Sequence, residues 1–361
     1  MARVHLKGIV VMLCLISSLC ACIFIFVLDA GIVNQISLRL RSGAAGKRGP
    51  NHFSSVISDS QRGKNASAMP GQHATLRPKL LALGWLKNVD WVPGMASGPK
   101  LDIYDFVLNP ENTCKEGNTT LLILVKSAPS HFSRREVIRE TYIRFVKESR
   151  MPAKVLFILG NPKEEADQDR VREESKLHGD ILQAGFRDHY YNLTIKLIMG
   201  FKWTVNFCRH SDFLMSTDDD VMIDVANLVQ DLTTLPESRT NFCLGWPTST
   251  APIRDVNSKW YCPKEMFPDD IYPVYPFGHG YVLSRDAVAK VYESSKELPP
   301  KTPFDDVYCG RLLISRGMGI VDRANTFKRL HPGRQPGDYL KCELSVDKMK
   351  KVWKSLEPVR N

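Results

Sequence analysis

The apolar residues of this chain fall into short unbroken runs that alternate with segments of helical spacing. Five runs predict strands: Leu121–Val125, Val155–Leu159, Ile181–Leu182, Phe213–Met215 and Tyr281–Leu283. A run without alternation is typical of a strand that is covered on both faces. Helical spacing predicts five helices, over residues 134–146, 164–176, 192–208, 225–232 and 307–315. Ser133 is the expected N-cap of the first helix. Strands that alternate with helices predict an α/β fold with a mostly parallel central sheet.

Residues 8–28 form a stretch of 21 positions without a charge. A helix of this length, rising about 1.5 Å per residue, is roughly 31 Å long and can cross the bilayer core. The alternative is a cleaved signal peptide, whose apolar region is usually about 7–15 residues long. Arg3 and Lys7 precede the stretch, so the positive-inside rule predicts that residues 1–7 are a cytoplasmic tail. We therefore expect a type II membrane protein that contacts the lipid bilayer through residues 8–28.

The remaining chain divides by composition into two parts. Residues 29–115 mix glycine, serine, arginine and proline without a sustained apolar period, which predicts a stem and lead-in segment. Residues 116–361 then form the lumenal domain. Glycosylation sequons at Asn65, Asn118 and Asn192 agree with a lumenal location.

Six cysteines follow the predicted span, and an even number in an oxidising compartment predicts disulfide bonds. They are Cys114, Cys208, Cys243, Cys262, Cys309 and Cys342. Six cysteines allow 15 pairings, and the sequence does not choose among them.

The formal net charge of +10 is not carried evenly along the chain. Residues 1–28 carry +2 and residues 29–115 carry +5, which leaves +3 for residues 116–361. Because the lumenal domain is nearly balanced, we do not expect it to bind nucleic acid.

Three consecutive aspartates, Asp218, Asp219 and Asp220, follow the predicted strand Phe213–Met215. Adjacent carboxylates repel one another and favour a bound cation, and oxygen ligands suit Mg²⁺ or Mn²⁺ together with substrate phosphates. Ligands of α/β sheets bind beyond the carboxyl ends of strands, which is where these aspartates lie. The alternative is a polar turn that caps the helix over residues 225–232.

A second pair of carboxylates, Asp305 and Asp306, comes at the start of the predicted helix 307–315. One interpretation is that both serve the helix N-terminus. The other is that one carboxylate faces a cleft and acts as a general base, which must reach the hydroxyl that it deprotonates.

The third candidate region contains a glycine pair and an aromatic pair. Gly278 and Gly280 permit close approach of the backbone to a ligand. His279 lies between them and is interpreted as a structural loop residue, because no proton-transfer partner is adjacent in the sequence. Trp260 and Tyr261 suit stacking on an acceptor sugar, or packing in the core.

Eight motifs in this order resemble those of the β-1,3-glycosyltransferases, glycosyltransferase family 31, over roughly residues 116–325. They are Arg139-Glu-Thr-Tyr142, Phe157-Ile-Leu-Gly160, His178-Gly-Asp-Ile181, Tyr191-Asn-Leu-Thr-Ile-Lys196, Asp218-Asp-Asp220, Lys259-Trp-Tyr261, Gly280-Tyr-Val-Leu-Ser284 and Asp305-Asp-Val-Tyr308. The family includes β-1,3-galactosyltransferases and brainiac-like N-acetylglucosaminyltransferases.

The resemblance implies a GT-A fold, a Golgi location and a UDP-sugar donor. The implied reaction is inverting transfer of galactose, or of an N-acetylhexosamine, in β-1,3 linkage to a glycan acceptor on glycolipid or glycoprotein. A donor specificity for UDP-GlcNAc or UDP-GalNAc is the main alternative. A catalytically inactive lumenal relative and a metal-dependent hydrolase are two others. A homo-oligomer is compatible with all of these.

The resemblance also implies roles for individual residues. Asp220 corresponds to the Mn²⁺ ligand, Asp218 and Asp219 to nucleotide-sugar contacts, and Asp306 to the base. Asp305 is grouped with the acceptor side, and Arg135 and Arg139 lie in the segment on the nucleotide side. This chain has Tyr142 where the family usually has tryptophan. It also has Cys342 near the position of a metal-ligating histidine. The candidates for the further metal ligand are His331 and Cys342; the alternatives are that Mn²⁺ keeps an extra water or that Cys342 is in a disulfide.

Overall fold

An eight-stranded sheet forms the centre of the region that the computed structural model describes, which comprises residues 101–115, 118–235, 240–323 and 340–356. The strands in these ranges are β1 (Phe106–Leu108), β2 (Leu121–Lys126), β3 (Ala153–Asn161), β4 (Ile181–Arg187), β5 (Phe213–Asp218), β6 (Met222–Ile223), β7 (Phe242–Gly245), β8 (Pro247–Thr248), β9 (Tyr275–Pro276), β10 (Gly280–Ser284), β11 (Gly319–Asp322) and β12 (Leu340–Lys341). The order in the large sheet is β1-β4-β3-β2-β5-β10-β7-β11. Strands β4, β3, β2 and β5 run parallel, whereas β10 is antiparallel to both of its neighbours. The predicted α/β fold with a mostly parallel sheet is therefore confirmed.

Helices cover both faces of this sheet. They are α1 (Phe132–Ile138), α2 (Arg144–Glu148), α3 (Glu165–His178), α4 (Leu193–Phe207), α5 (Val225–Thr234), α6 (Arg285–Glu297), α7 (Asp305–Ser315) and α8 (Val346–Leu356). Alternate residues of β2 point to different cores, Ile123 to one and Leu124 to the other. The first core includes apolar residues of α1, α5 and α8, and the second includes those of α4, α6 and α7. Burial on both faces explains why β2 is apolar at every position up to Lys126.

The predicted helix over residues 134–146 is interrupted. A π-helical turn at Arg139–Ile143 separates α1 from α2, and Thr141 has non-helical dihedral angles. The N-cap of α1 is His131, so the prediction that Ser133 caps this helix is wrong. The cap of α5 is Asp224, whose side chain accepts a hydrogen bond from the Asn227 amide. The three aspartates at 218–220 are therefore not the cap of α5.

The fold extends N-terminal to residue 116. Strand β1 pairs with β4, and Cys114 forms a disulfide with Cys208. Residues 106–114 are thus part of the folded region rather than of a stem. The other four cysteines, Cys243, Cys262, Cys309 and Cys342, are buried outside this disulfide.

Two predicted features concern the membrane and the glycans. The described residues contain no helix that is long and apolar enough to cross a bilayer, and the predicted span 8–28 lies outside them. Asn65 also lies outside the described residues, whereas Asn118 is exposed. Asn192 is fully buried and donates a 2.8 Å hydrogen bond to the Arg187 carbonyl oxygen, so the folded chain does not expose this sequon.

Candidate active site

A cleft of about 830 Å³ opens at the carboxyl ends of β2 and β5. Lys126 ends β2, Asp218 ends β5, and the two residues are in register in the parallel ladder. The cleft also receives residues from the turn before β10 and from the first turn of α7. This is the edge of the sheet at which ligands of α/β proteins bind.

Three side chains in the cleft could hold a metal ion. One ligand atom each from Asp218, Asp220 and His279 lies within 4.8 Å of the other two. Burial raises the pKa of Asp218, although the ammonium group of Lys126 acts against this effect. Burial and, after it, the charge of Asp218 raise the pKa of Asp220 to about 6. Two crowded carboxylates and an imidazole provide the oxygen and nitrogen ligands that suit Mn²⁺, so the residues fit that ion.

Asp219 has a different environment from its two neighbours. Its carboxylate accepts hydrogen bonds from Ser127 Oγ at 2.6 Å, His131 Nδ1 at 2.7 Å and Arg134 Nη1 at 2.7 Å. Burial alone would raise its pKa, but these partners lower the pKa of Asp219 to about 2. Because both of its oxygens are engaged within the protein, the expected direct contact of Asp219 with the nucleotide sugar is not supported.

Lys126 connects the metal cluster to the carboxylates of α7. Its Nζ lies 2.6 Å from Asp305 Oδ2 and 3.2 Å from Asp218 Oδ1, and its side chain is almost fully buried. Burial acts to lower the pKa of Lys126, but the two carboxylates raise it overall. Asp305 is therefore held in a buried ion pair, so the expectation that it serves the acceptor side is not supported.

Asp306 is the carboxylate that remains directed into the cleft. Burial and, after it, the charge of Asp305 raise the pKa of Asp306 to about 7. Its Oδ1 accepts a 2.7 Å hydrogen bond from the amide of Val307. A Cβ atom at Gly278 would lie only 2.8 Å from Asp306 Oδ2. Gly278 therefore makes room for this carboxylate, and a pKa near neutrality suits a general base.

Three other predicted nucleotide contacts lie outside the cleft. Gly280 is buried in β10, where a Cβ atom would meet Leu340 Cδ1 at 2.6 Å, so its role is packing. Arg135 makes two hydrogen bonds to Glu174, at 2.7 and 2.8 Å. Arg139 contacts both Glu174 and Asp180. The structure thus corrects the assignment of Arg135 and Arg139, which join α1 and the π turn to α3 rather than face a nucleotide.

The aromatic pair divides between the cleft and the core. Trp260 lines the cleft and is 44% exposed, and Lys259 Nζ lies 4.3 Å above its ring. Tyr190 lines the cleft beside them. Tyr261 instead packs on a small third core that includes Tyr272 and Phe304. Of the two predicted stacking residues, only Trp260 is available to a ligand.

The candidates for the further metal ligand have different outcomes. Cys342 is completely buried in the first core and is not part of the metal cluster of the described residues. His331 lies outside the described residues. His279, interpreted from the sequence as structural, is the histidine that joins Asp218 and Asp220. Its signal in the sequence is its position between two glycines just before a strand, which does not by itself indicate a ligand.

The cleft therefore combines three side chains that could hold a metal ion with a separate carboxylate, Asp306, whose pKa suits a general base. Such an arrangement could serve metal-assisted displacement. The family model described as galactosyltransferase matches residues 133–324, more than half of the chain. The chain belongs to the galactosyltransferase family. This confirms the relationship that the eight ordered motifs indicate.

Individual relatives carry two kinds of name. The chain is 37% identical over 242 residues to human lactosylceramide 1,3-N-acetyl-beta-D-glucosaminyltransferase, covering 64% of this chain and 62% of that protein. It is 34% identical over 220 residues to mouse beta-1,3-galactosyltransferase 1, covering 60% of this chain and 66% of that protein. The chain thus matches less than two thirds of the length of these relatives.

Among solved structures, one similar chain is a glycosyltransferase involved in the glycosylation of the major capsid of PBCV-1. It is 12% identical and has a TM-score of 0.37, with coverage of 65% of this chain and 98% of that one.

Proposed function

We propose that this protein is an inverting UDP-sugar-dependent β-1,3-glycosyltransferase with a GT-A fold and a Mn²⁺ cofactor. The observation that carries the proposal is the presence, in one cleft, of the cluster Asp218, Asp220 and His279 together with Asp306. The donor is UDP-galactose or a UDP-N-acetylhexosamine, and the acceptor is a glycan on glycolipid or glycoprotein. Relatives named for N-acetylglucosaminyl transfer and for galactosyl transfer support both donors.

Each residue has a defined task in the proposed reaction. Asp218, Asp220 and His279 would hold Mn²⁺, which neutralises charge on a leaving diphosphate. Asp306 accepts the proton of the acceptor 3-hydroxyl as that oxygen attacks the anomeric carbon from the face opposite the diphosphate. Trp260 forms an apolar surface for a sugar ring. A single base and a single displacement invert the configuration at the anomeric carbon to β.

The role of Asp306 is tested by Asp306→Asn in the full-length protein. We expect transfer to fall at least a thousandfold, because the amide cannot accept the proton, while UDP affinity stays within about threefold of the wild type. Calorimetric titration with UDP gives the affinity, and release of UDP gives the rate. Substantial turnover in Asp306→Asn would remove this residue as the base.

The metal assignment has a test that does not depend on activity. Titration of Mn²⁺, followed by electron paramagnetic resonance, should show about tenfold or greater weakening in Asp220→Asn and in His279→Gln. Cys342→Ser is the matched control, because Cys342 lies in the apolar core outside the cluster. Unchanged Mn²⁺ affinity in His279→Gln would exclude it as a ligand.

A metal-dependent hydrolase and an inactive relative are the alternative functions. A hydrolase would release free sugar from UDP-sugar without an acceptor, and an inactive relative would bind UDP without turnover. Incubating the protein with three UDP-sugars and a small panel of acceptors distinguishes these outcomes. The carboxylates at 218, 220 and 306 argue against the inactive relative, and the product assay separates the transferase from the hydrolase.

We also propose that the protein is a single-pass type II protein of the Golgi membrane. The apolar stretch at residues 8–28 and the sequon at Asn118 support this location. In sealed microsomes, protease added outside should leave the region from residue 101 onward intact. Digestion of that region in intact vesicles would contradict the proposed orientation.

A further inference from the structure

The cleft contains a histidine and an arginine that the metal and base assignments leave unused. His131 and Arg134 lie on the loop and the first helical turn that follow β2, and both line the cleft. Their side chains are 42% and 31% exposed, so a ligand in the cleft can reach them. Both side chains contact the same buried carboxylate, that of Asp219, at 2.7 Å.

The hydrogen bonds of this pair leave ligand-binding atoms available. Asp219 accepts from Nδ1 of His131, so in the neutral ring Nε2 is left as an acceptor. Within the described residues, the polar contacts of Arg134 with Asp219 and Asp220 all involve Nη1, which leaves the Nε and Nη2 donors for a ligand. The pair therefore presents an acceptor and a fork of donors to the cleft.

The position of Arg134 relates this pair to the metal cluster. Its Nη1 lies 3.6 Å from Asp220 Oδ2, one of the carboxylates assigned to the metal. A diphosphate bound to a metal at Asp220 would come within reach of the guanidinium group, whose planar donors match phosphate oxygens. The adjacent imidazole acceptor is suited to a ribose hydroxyl or to the N–H group of a uracil ring.

We propose that Asp219 is a positioning residue that holds Arg134 and His131 in place as a second binding contact for the donor. This contact recognises the nucleoside diphosphate of the donor and is independent of the metal. Arg134 and His131 are the residues that touch the donor, and Asp219 acts through them. The proposal rests on the proposed use of a UDP-sugar. It assigns unequal roles to three adjacent aspartates, two for the metal and one for the protein groups that bind the nucleotide.

The test compares UDP binding to the full-length protein in Mn²⁺ and in EDTA, by isothermal titration calorimetry. In EDTA, we expect Arg134→Met and Asp219→Asn each to weaken UDP binding about tenfold. The double variant should lose little more than either single variant, because both act on one unit. Asp220→Asn should bind UDP in EDTA at least as tightly as the wild type, because it removes a negative charge near the diphosphate, and should lose only the gain that Mn²⁺ provides. Arg172→Met, which removes an exposed arginine of α3 outside the cleft, is the control and should bind UDP normally.

Kinetic constants and a conservative variant separate the proposed role of Asp219 from a merely structural one. In Asp219→Asn, we expect the KM for the donor to rise about tenfold with a smaller change in kcat, and Arg134→Lys to recover part of the binding lost in Arg134→Met. If Asp219→Asn does not fold, Arg134→Met and His131→Gln still test this second contact. Both side chains are partly exposed, so these two variants should fold.

Two results would overturn the inference while leaving the proposed function intact. One is equal UDP affinity in wild type and Arg134→Met, and the other is UDP binding by the wild type that requires Mn²⁺ absolutely. Failure of the wild type to bind UDP even with Mn²⁺ would instead reject the proposed function itself.

Discussion

At the scale of single residues, Asp306 combines an unfavourable electrostatic position with the proposed role of base. Burial and the charge of Asp305 raise the pKa of Asp306 to about 7 from the ordinary value of 3.8. Between these values the folded protein binds a proton that the unfolded chain releases, so the stability contributed by this group declines as pH rises toward 7. Above about pH 7, the folded protein carries a buried carboxylate that costs stability.

This position predicts a pH-dependent effect of Asp306→Asn on stability. The neutral amide removes the electrostatic cost that the wild type acquires as Asp306 ionises. The stability of the variant relative to the wild type should therefore be about 1–3 kcal/mol greater at pH 8 than at pH 5. Urea denaturation in EDTA at the two pH values measures the change. A difference between variant and wild type that is the same at both pH values would contradict the account.

At the scale of the elements, an ion-pair network fixes the helices that flank the cleft. Arg135 of α1 and Arg139 of the π turn share Glu174 of α3, and Arg139 also pairs with Asp180. Arg135 is fully buried, and its hydrogen bonds to Glu174 offset the cost of burying a guanidinium group. Ser127 lies on the loop between β2 and α1, and its Oγ contacts both Arg135 and Asp219. The network therefore supports the loop after β2 and the start of α1, which line the cleft, although its own arginines and Glu174 do not.

Glu174→Gln tests this supporting role. Removing the shared carboxylate charge should lower the unfolding free energy by about 3 kcal/mol, because buried Arg135 loses its ionised partner and Arg139 keeps only Asp180. Urea denaturation measures the loss. Glu165→Gln in the same helix is the control, since its ion pair with Arg172 is exposed and its loss should not measurably change stability. Equal stability of Glu174→Gln and wild type would show that the network contributes nothing.

The elements were more predictable from the sequence than the site contacts. Unbroken apolar runs predicted strands β2, β3 and β5, because burial on both faces leaves a local pattern. Asp218, Asp220 and Asp306 were predicted as functional for a similar reason, since carboxylates at element ends are visible locally. Contacts between distant residues leave no such pattern. Lys126 and Asp305 are 179 positions apart, and the sequence does not indicate their ion pair.

At the scale of the whole molecule, the proposed lumenal location requires that any glycan be attached at an accessible sequon. Of the sequons in the described residues, Asn118 is exposed and Asn192 is fully buried. A folded chain can carry a glycan at the first position, but the second is enclosed by the packing of α4 and its preceding turn.

The difference between the two sequons predicts the pattern of glycosylation. When the full chain is expressed in a secretory cell line, Asn118→Gln should remove one shift in mobility that peptide-N-glycosidase also removes. Thr194→Val, which destroys the Asn192 sequon, should leave the pattern unchanged. Electrophoresis with and without the glycosidase gives the result. A glycan attached at Asn192 of the folded, secretory protein would show that the local structure differs from the one described.

The central claim is that one cleft binds the donor and a metal and activates an acceptor hydroxyl for inverting transfer. The most direct measurement is the structure of the product. The full-length protein should be incubated with Mn²⁺, UDP-galactose or a UDP-N-acetylhexosamine, and a small panel of glycan acceptors, and the product analysed by NMR. The account predicts one new β-anomeric residue linked to a 3-hydroxyl, with one UDP released per transfer. An α-linked product, or free sugar released at the same rate without an acceptor, would contradict it.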